Sequence, residues 1–360
     1  MKNILALLLL TAIYSSTVAQ EKTFAVLGKV IDSVTGQPLA NASVFCQNTT
    51  QGTITNAEGL FFMRLNNGGY DLVVTYTSYE KRILRISNNT ASSDTLVIGM
   101  GKEDKVMEEV AVVATGEDPE GLTKYGKFFM DNFIGTTPNS ADCKIENPTA
   151  LRFFFSKKRN RLKVTAKEEV IVLNYALGYK IRYQLDSFTY EYGTNISQYT
   201  GSPLFVEMDS TEEIKAKWKL NRARSYLGSR LHFMRALYDS LLTEEGFAIE
   251  KLPDDPKKND GVLISNIYNP EQYEADSSDV TVGWSGRYRI SYKSVLPDKK
   301  FLQEFGLPQN LRSQVTLLEM PDGFVIEENG YFYDQYDVVN TGYWAWKKLA
   351  ELLPYDYEYE

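Results

Sequence analysis

Asn66-Asn67-Gly68-Gly69-Tyr70-Asp71-Leu72-Val73-Val74-Thr75-Tyr76 is the stretch whose reading decides the fold of the first part of the chain. Its Asn and Gly residues tolerate the positive φ of tight turns, so the first four positions read as a turn. Tyr70, Leu72, Val74 and Tyr76 then alternate with Asp71, Val73 and Thr75, the period of a strand with one face more apolar than the other. Outward from it, short apolar or alternating runs recur every eight to twelve residues or so, with no helical period among them. The strands drawn are Phe24 to Asp32, Ser43 to Gln47, Gly52 to Thr55, Leu60 to Leu65, Tyr70 to Tyr76, Lys81 to Ile86 and Thr95 to Ile98. Thr35-Gly36-Gln37-Pro38 and Asn56-Ala57-Glu58-Gly59 supply further turns, Pro fixing φ near −65°. Seven strands at this spacing predict an immunoglobulin-like β-sandwich over residues 24–100.

Gly28-Lys29-Val30-Ile31-Asp32, Thr35-Gly36-Gln37-Pro38-Leu39-Ala40-Asn41-Ala42-Ser43-Val44, Gly52-Thr53-Ile54-Thr55-Asn56-Ala57-Glu58-Gly59-Leu60-Phe61 and Gly69-Tyr70-Asp71-Leu72 together resemble the carboxypeptidase regulatory-like domain. The resemblance implies a transthyretin-like, immunoglobulin-like sandwich and no peptidase activity, because that domain is the non-catalytic appendage of true carboxypeptidases. Asn56 stands where the family usually has Asp, and Ser78 where a glycine usually precedes the Tyr79 position. Val106 to Thr115 resembles the stretch that follows this domain in TonB-dependent outer-membrane receptors of Bacteroidetes-type bacteria. The sequence beyond it lacks the long series of roughly ten-residue alternating strands of a barrel, and an extra strand closing the sandwich or bridging domains is the reading kept.

Gly116-Glu117-Asp118-Pro119-Glu120-Gly121 is polar and rich in breakers, so residues 101–121 read as a connecting strand and linker. Residues 122–360 read as an α+β domain, making the whole chain mainly β with an α+β second part. Its strands are Leu151 to Phe155, Arg161 to Thr165, Val170 to Tyr175, Tyr179 to Tyr192, Arg287 to Tyr292, Gln314 to Met320, Phe324 to Glu328 and Tyr331 to Asp334. Ser210-Thr211-Glu212-Glu213 has capping-box spacing and opens one long helical stretch to about Glu245. Leu227, Leu231, Met234, Tyr238 and Leu241 form its apolar stripe. Thr341 to Leu353 closes as a helix, stopped by Pro354. Leu177 to Ile181, His232-Phe233, Glu244 to Phe247, Gly342 to Trp344 and Glu351 to Tyr357 resemble the C-terminal part of exported Bacteroidetes proteins that carry the regulatory-like domain and otherwise have no assigned function.

The chain has 360 residues, 43% apolar and 24% charged, the composition of a folded protein of about two domains. Its formal net charge of −8 argues against nucleic acid as a partner. His232 is the one histidine, so paired-histidine zinc-peptidase motifs are excluded, and Cys46, Cys143 and His232 cannot supply a four-ligand structural zinc. No metal or cofactor is expected. The cysteines lie in different regions and read as reduced, mostly buried thiols, Cys46 sharing a strand face with Ala42 and Val44.

Met1-Lys2-Asn3, the apolar run Ile4 to Ile13 and the small residues Thr17-Val18-Ala19 read as a signal peptide over residues 1–19, cleaved between Ala19 and Gln20. No later stretch is long and apolar enough to span a bilayer as a helix. The expected compartment is the periplasm, or an outer-membrane-associated location.

Each candidate site has a plain structural competitor. His232 falls on a helix flank beside Gly228, Arg235 and Asp239, away from the stripe, and reads as hydrogen-bonded and structural. Lys157 to Arg161 reads as a solvated hairpin turn. Asp254 to Gly261 reads as a loop, its lysines opposing calcium. Aromatic residues reach 13%, and Trp344, directed toward Lys348 and Glu351, marks with Lys348 a possible binding surface, although a tryptophan packed on the neighbouring sheet is the commoner outcome. No catalytic residue is assigned. The expectation is a non-catalytic binding or accessory protein of the bacterial envelope whose partner is an envelope protein or glycan. The alternative is a glycan hydrolase built on two carboxylates.

Overall fold

The computed structural model describes residues 23–88, 95–103, 116–276, 278–333, 335 and 337–359. The signal peptide, its cleavage point between Ala19 and Gln20, and the segment Val106 to Thr115 lie outside the described residues.

The first part is the expected seven-stranded sandwich. Thr23–Asp32, Leu60–Asn66 and Leu96–Met100 form one sheet, with Thr23–Asp32 in the middle. Ser43–Cys46, Gly52–Ile54, Gly69–Thr75 and Arg82–Ser87 form the other. Alternation sets the register: in Leu60–Asn66 Phe61, Met63 and Leu65 are buried while their neighbours are exposed. Between the sheets Val30, Val44, Cys46, Leu72 and Val74 join one apolar cluster. Val73, on the opposite face of its strand, is equally buried because it packs with Phe45 and with Leu204 from the later part of the chain.

The later part is built on three sheets. A six-stranded sheet contains Cys143–Ile145, Leu151–Ser156, Arg161–Ala166, Val170–Asn174, Tyr179–Glu191 and Ile196–Glu207. The helix Gly121–Phe133 packs on it through Phe129 and Phe133. A five-stranded sheet joins Phe247–Lys251, Val262–Leu263, Gly286–Tyr292, Gln314–Met320 and Val339–Gly342, and a three-stranded sheet joins Tyr273–Ala275, Asp279–Val282 and Phe324–Glu327. These two share a second apolar core with the helix Arg230–Tyr238.

The structure corrects several expectations. The long helical stretch is two helices, Glu212–Tyr226 and Arg230–Tyr238. They break at Gly228, whose φ of 70° is left-handed and whose Cα lies so close to Tyr292 that a Cβ would stand 2.4 Å from its ring. Ser229 then caps the second helix by accepting from the His232 amide. The first helix is capped by Thr211, one residue after Ser210. The expected helix Thr341 to Leu353 is a single turn, Tyr343–Trp346, followed by a 3₁₀ turn at Leu349–Glu351. Its helical phase is lost at Lys347, where ψ reaches 80°, and the two turns thereby serve different cores: Tyr343 and Trp346 pack on Phe301, while Leu349, Ala350 and Leu353 pack on the six-stranded sheet. Tyr331 to Phe332 makes only an isolated bridge to Ile326 in place of a strand, and Asp334 lies outside the described residues. The helices Gly121–Phe133 and Lys299–Glu304 and the strand Ile196–Glu207 were not anticipated.

The sandwich docks against the later part along a polar and aromatic seam. The Asn48 amide donates to the Pro203 carbonyl (2.8 Å), and the Phe205 amide to that of Thr49 (2.9 Å). Asp356 accepts from the Thr50 amide and from Gln51 Nε2 (2.9 and 3.0 Å). Asn329 Nδ2 donates to the Gly69 carbonyl (2.9 Å), and the Tyr331 hydroxyl donates to Asp71 (3.0 Å). A bulge between Leu185 and Ser187 leaves Asp186 paired to Lys81 of the sandwich at 2.6 Å.

Candidate functional site

At this seam lies a cavity of about 280 Å³. The break at Gly228 aims the start of the helix Arg230–Tyr238 into it, so Ser229, Arg230 and Leu231 form one wall. Tyr183, Tyr199, Gly201 and Pro203 come from the long hairpin, Gly330 and Phe332 from the tip after Phe324–Glu327, and Asn48 from the sandwich. The floor is the irregular segment from Trp344 to Tyr355, whose two short turns present Lys347, Lys348 and Glu351.

Trp344 and Lys348, expected as a binding surface, both line this cavity. Trp344 is 7% exposed, its indole donating to the Gly228 carbonyl (2.8 Å) and its ring tilted on Phe233.

Three cations and one carboxylate line the cavity among the described residues. Lys347 Nζ donates to the Ser225 carbonyl (3.1 Å) at the end of its helix, and Lys348 Nζ to the Asn132 carbonyl (2.8 Å). Burial holds both ammonium groups below the ordinary lysine range, against the opposing pull of Glu351 and Asp298 on Lys347 and of Asp131 on Lys348. Glu351 accepts from the Ser225 hydroxyl at 2.6 Å. Burial raises the Tyr199 and Tyr355 phenols, which stay neutral. Asn48 Oδ1 is buried without a hydrogen-bond partner among the described residues.

A wider cleft of about 680 Å³ lies beside Thr50, Tyr179, Trp218 and Tyr357 and holds four acids. Of these, Glu207 pairs with Arg222 at 2.7 Å, Asp209 with Lys215 at 2.9 Å, and Asp356 is held by Thr50 and Gln51. Lys215 holds Asp209 below the usual carboxylate range, the opposite of what a general acid needs.

His232 lies outside both sites. It is 3% exposed, enclosed by Tyr226, Phe247 and Tyr292, with Nδ1 accepting from the Gly228 amide and Nε2 beside Glu245, each at 3.1 Å. The polar flank expected for it is thus an aromatic pocket. Burial keeps the imidazole below its usual range despite Glu245. Lys157 to Asn160 form the exposed turn of a hairpin, and Asp254 to Gly261 form a loop tied down by Arg287 and Arg289. Both cysteines are free, Cys46 buried and Cys143 half-buried, and burial pushes the Cys143 thiol up to about 12.

The sandwich, with its turns at Gly36, Gly59 and Gly68, is the part for which known proteins supply a match. Residues 26–112 match the CarboxypepD_reg-like domain. No curated protein matches the chain. Among solved structures, a streptococcal ancillary pilin aligns at 16% identity over 24% of this chain and 31% of its own, with a TM-score of 0.21. The Bacillus anthracis TIE protein aligns at 11% identity over 53% of this chain and 32% of its own, with a TM-score of 0.20. A 9R-lipoxygenase from Cyanothece aligns at 11% identity over 64% and 50%, with a TM-score of 0.18. The chain spans half or less of the length of each, and overlaps this slight carry no inference about fold or function. The CarboxypepD_reg-like domain accounts for the sandwich alone; most of the cavity wall comes from outside it.

Proposed function

We propose that the protein is a non-catalytic, exported binding or accessory protein of the bacterial cell envelope, in which the CarboxypepD_reg-like domain and the later part of the chain jointly wall a ligand cavity. The carrying observation is the cavity's lining: cations, tyrosines and apolar groups surround one carboxylate, Glu351, which is already engaged by Ser225. Such a lining holds and orients a ligand, whereas hydrolysis by carboxylates needs a separated, oppositely tuned pair. The tripartite start of the sequence supports export, and the non-catalytic character of the regulatory-like domain supports an accessory role. Purified protein incubated with envelope glycans, peptides and esters is expected to release nothing, while cross-linking in cells captures an envelope partner. Product release that disappears in Glu351→Gln or Asp356→Asn would overturn the proposal.

A further inference from the structure

Arginines of the later part are mostly committed to protein oxygens. Arg235 donates to the carbonyls of Asn329, Tyr355 and Tyr357, Arg222 to Glu207 and the Leu177 carbonyl, and Arg182 to Glu169. Arg230 differs. It is half-buried in the cavity wall, its guanidinium 5.4 Å from the centre of the Phe332 ring, and among the described residues it has no hydrogen-bond or ion-pair partner. In a chain of net charge −8, carboxylates are plentiful, yet the one that lines this cavity is held by Ser225. Lys348 on the floor gives its hydrogen bonds to a carbonyl and, at 3.4 Å, to the Ser197 hydroxyl, and among the described residues it makes no ion pair with a carboxylate. The first amides of a nine-residue helix, at Arg230 and Leu231, add the positive end of its dipole to the same wall. Tyr199 contributes a hydroxyl with no hydrogen bond among the described residues, and Trp344 and Phe332 supply flat apolar surface.

Resting on the binding reading above, we propose that this cavity takes one small organic oxyanion, a carboxylate or a phosphate monoester on a compact apolar body. The guanidinium of Arg230 presents a planar fork that matches either oxyanion through two parallel hydrogen bonds. Lys348 supplies the second charge, and Trp344 and Phe332 flank the body. A volume of about 280 Å³ lies at the small end of ligand pockets, which favours a single ring or short chain over a polymer.

Titration calorimetry of the full chain with benzoate, phenyl phosphate and uncharged benzyl alcohol tests the proposal. At least one of the two anions is expected to bind with millimolar or tighter affinity, and which of them binds better separates a carboxylate site from a phosphate site. Benzyl alcohol is expected to bind at least about tenfold more weakly. Arg230→Gln should weaken the anion about tenfold or more, Lys348→Gln should weaken it independently, and Lys157→Gln, on the distant hairpin turn, should leave it unchanged. Circular dichroism confirms that each variant is folded. Failure of both anions to bind, or binding unaffected in folded Arg230→Gln and Lys348→Gln, would overturn the proposal. Benzyl alcohol binding as well as benzoate would remove the oxyanion and leave the binding reading in place, whereas release of phenol from phenyl phosphate would overturn the binding reading itself.

Discussion

Val30, Val44, Leu72 and Val74, wholly buried in one apolar cluster between the sheets of the sandwich, contrast with the groups a few ångströms away at the seam. There Asp71 accepts from Tyr331, Arg85 lies 4.4 Å from the centre of the Tyr333 ring, Tyr333 donates to Glu327 at 2.6 Å, and Asn329 bonds the Gly69 carbonyl. The apolar cluster gains stability from area removed from water and is indifferent to direction. Beyond the small apolar contact of Phe45 and Val73 with Leu204, the seam relies on aligned donors and acceptors, each adding little net stability but strongly penalised if left unpaired. Of these two regions, the cluster contributes through burial and the seam through a fixed docking geometry. The cavity walled by Arg230, Lys347 and Lys348 lies in the second.

The sharpest way to break this contrast is Leu72→Ala. Leu72 has no exposed surface, and truncation is expected to cost about 3 kcal/mol through lost burial and the void left behind. Chemical denaturation checks it, and a loss below about 1 kcal/mol would mean that the interior is loosely packed. Gly69→Ala attacks the seam alone. An added Cβ would stand 2.5 Å from Tyr331 and 2.8 Å from Glu327 Cγ, so the docked tip must withdraw while the sandwich strands keep their pairing. The expected loss is about 2 kcal/mol, with thermal unfolding separating into two transitions. An unaltered single transition would show that the seam carries no such coupling.

Glu327→Gln gives the smallest effect and depends on pH. Glu327 is 0% exposed, and burial raises its pKa above the ordinary value even though the Tyr333 hydrogen bond pulls the other way. Between the unfolded value near 4.5 and the higher folded value, the folded state keeps a proton that the unfolded state has lost. Raising the pH through that interval therefore erodes stability, with a slope of at most about 1.4 kcal/mol per pH unit for one proton. Gln has no such proton, so the variant should lose this slope. Equal slopes in both proteins, from denaturant titrations across the acid range, would refute the assignment.

The same contrast explains what was legible in the sequence. All seven sandwich strands follow from local alternation and from Gly, Asn and Pro in the turns, and their bounds fall within a residue or two of expectation. Leu227-Gly228-Ser229 also carried a local signal, a left-handed glycine followed by a capping serine, but the apolar stripe runs unbroken across it and hides the stop. Trp344, Lys348 and Glu351, linked in the sequence by their spacing, line one cavity, and its other walls, among them Asn48, Tyr199 and Arg230, come from distant parts of the chain that no local pattern joins. Nothing in the local pattern around Arg230 announces that, among the described residues, it pairs with no carboxylate. That fact exists only once the walls have assembled.

The partners at the seam are far apart along the chain: Asn329 reaches back 260 positions to Gly69, and Asp356 reaches back 306 to Thr50. Closing a flexible loop of that length carries an entropy term of about 5 kcal/mol, far more than one hydrogen bond returns. Such contacts cannot nucleate folding. They form when preassembled surfaces meet, so the kinetics should show a late docking phase after the sheets are built, and the cavity comes into being only in that final step.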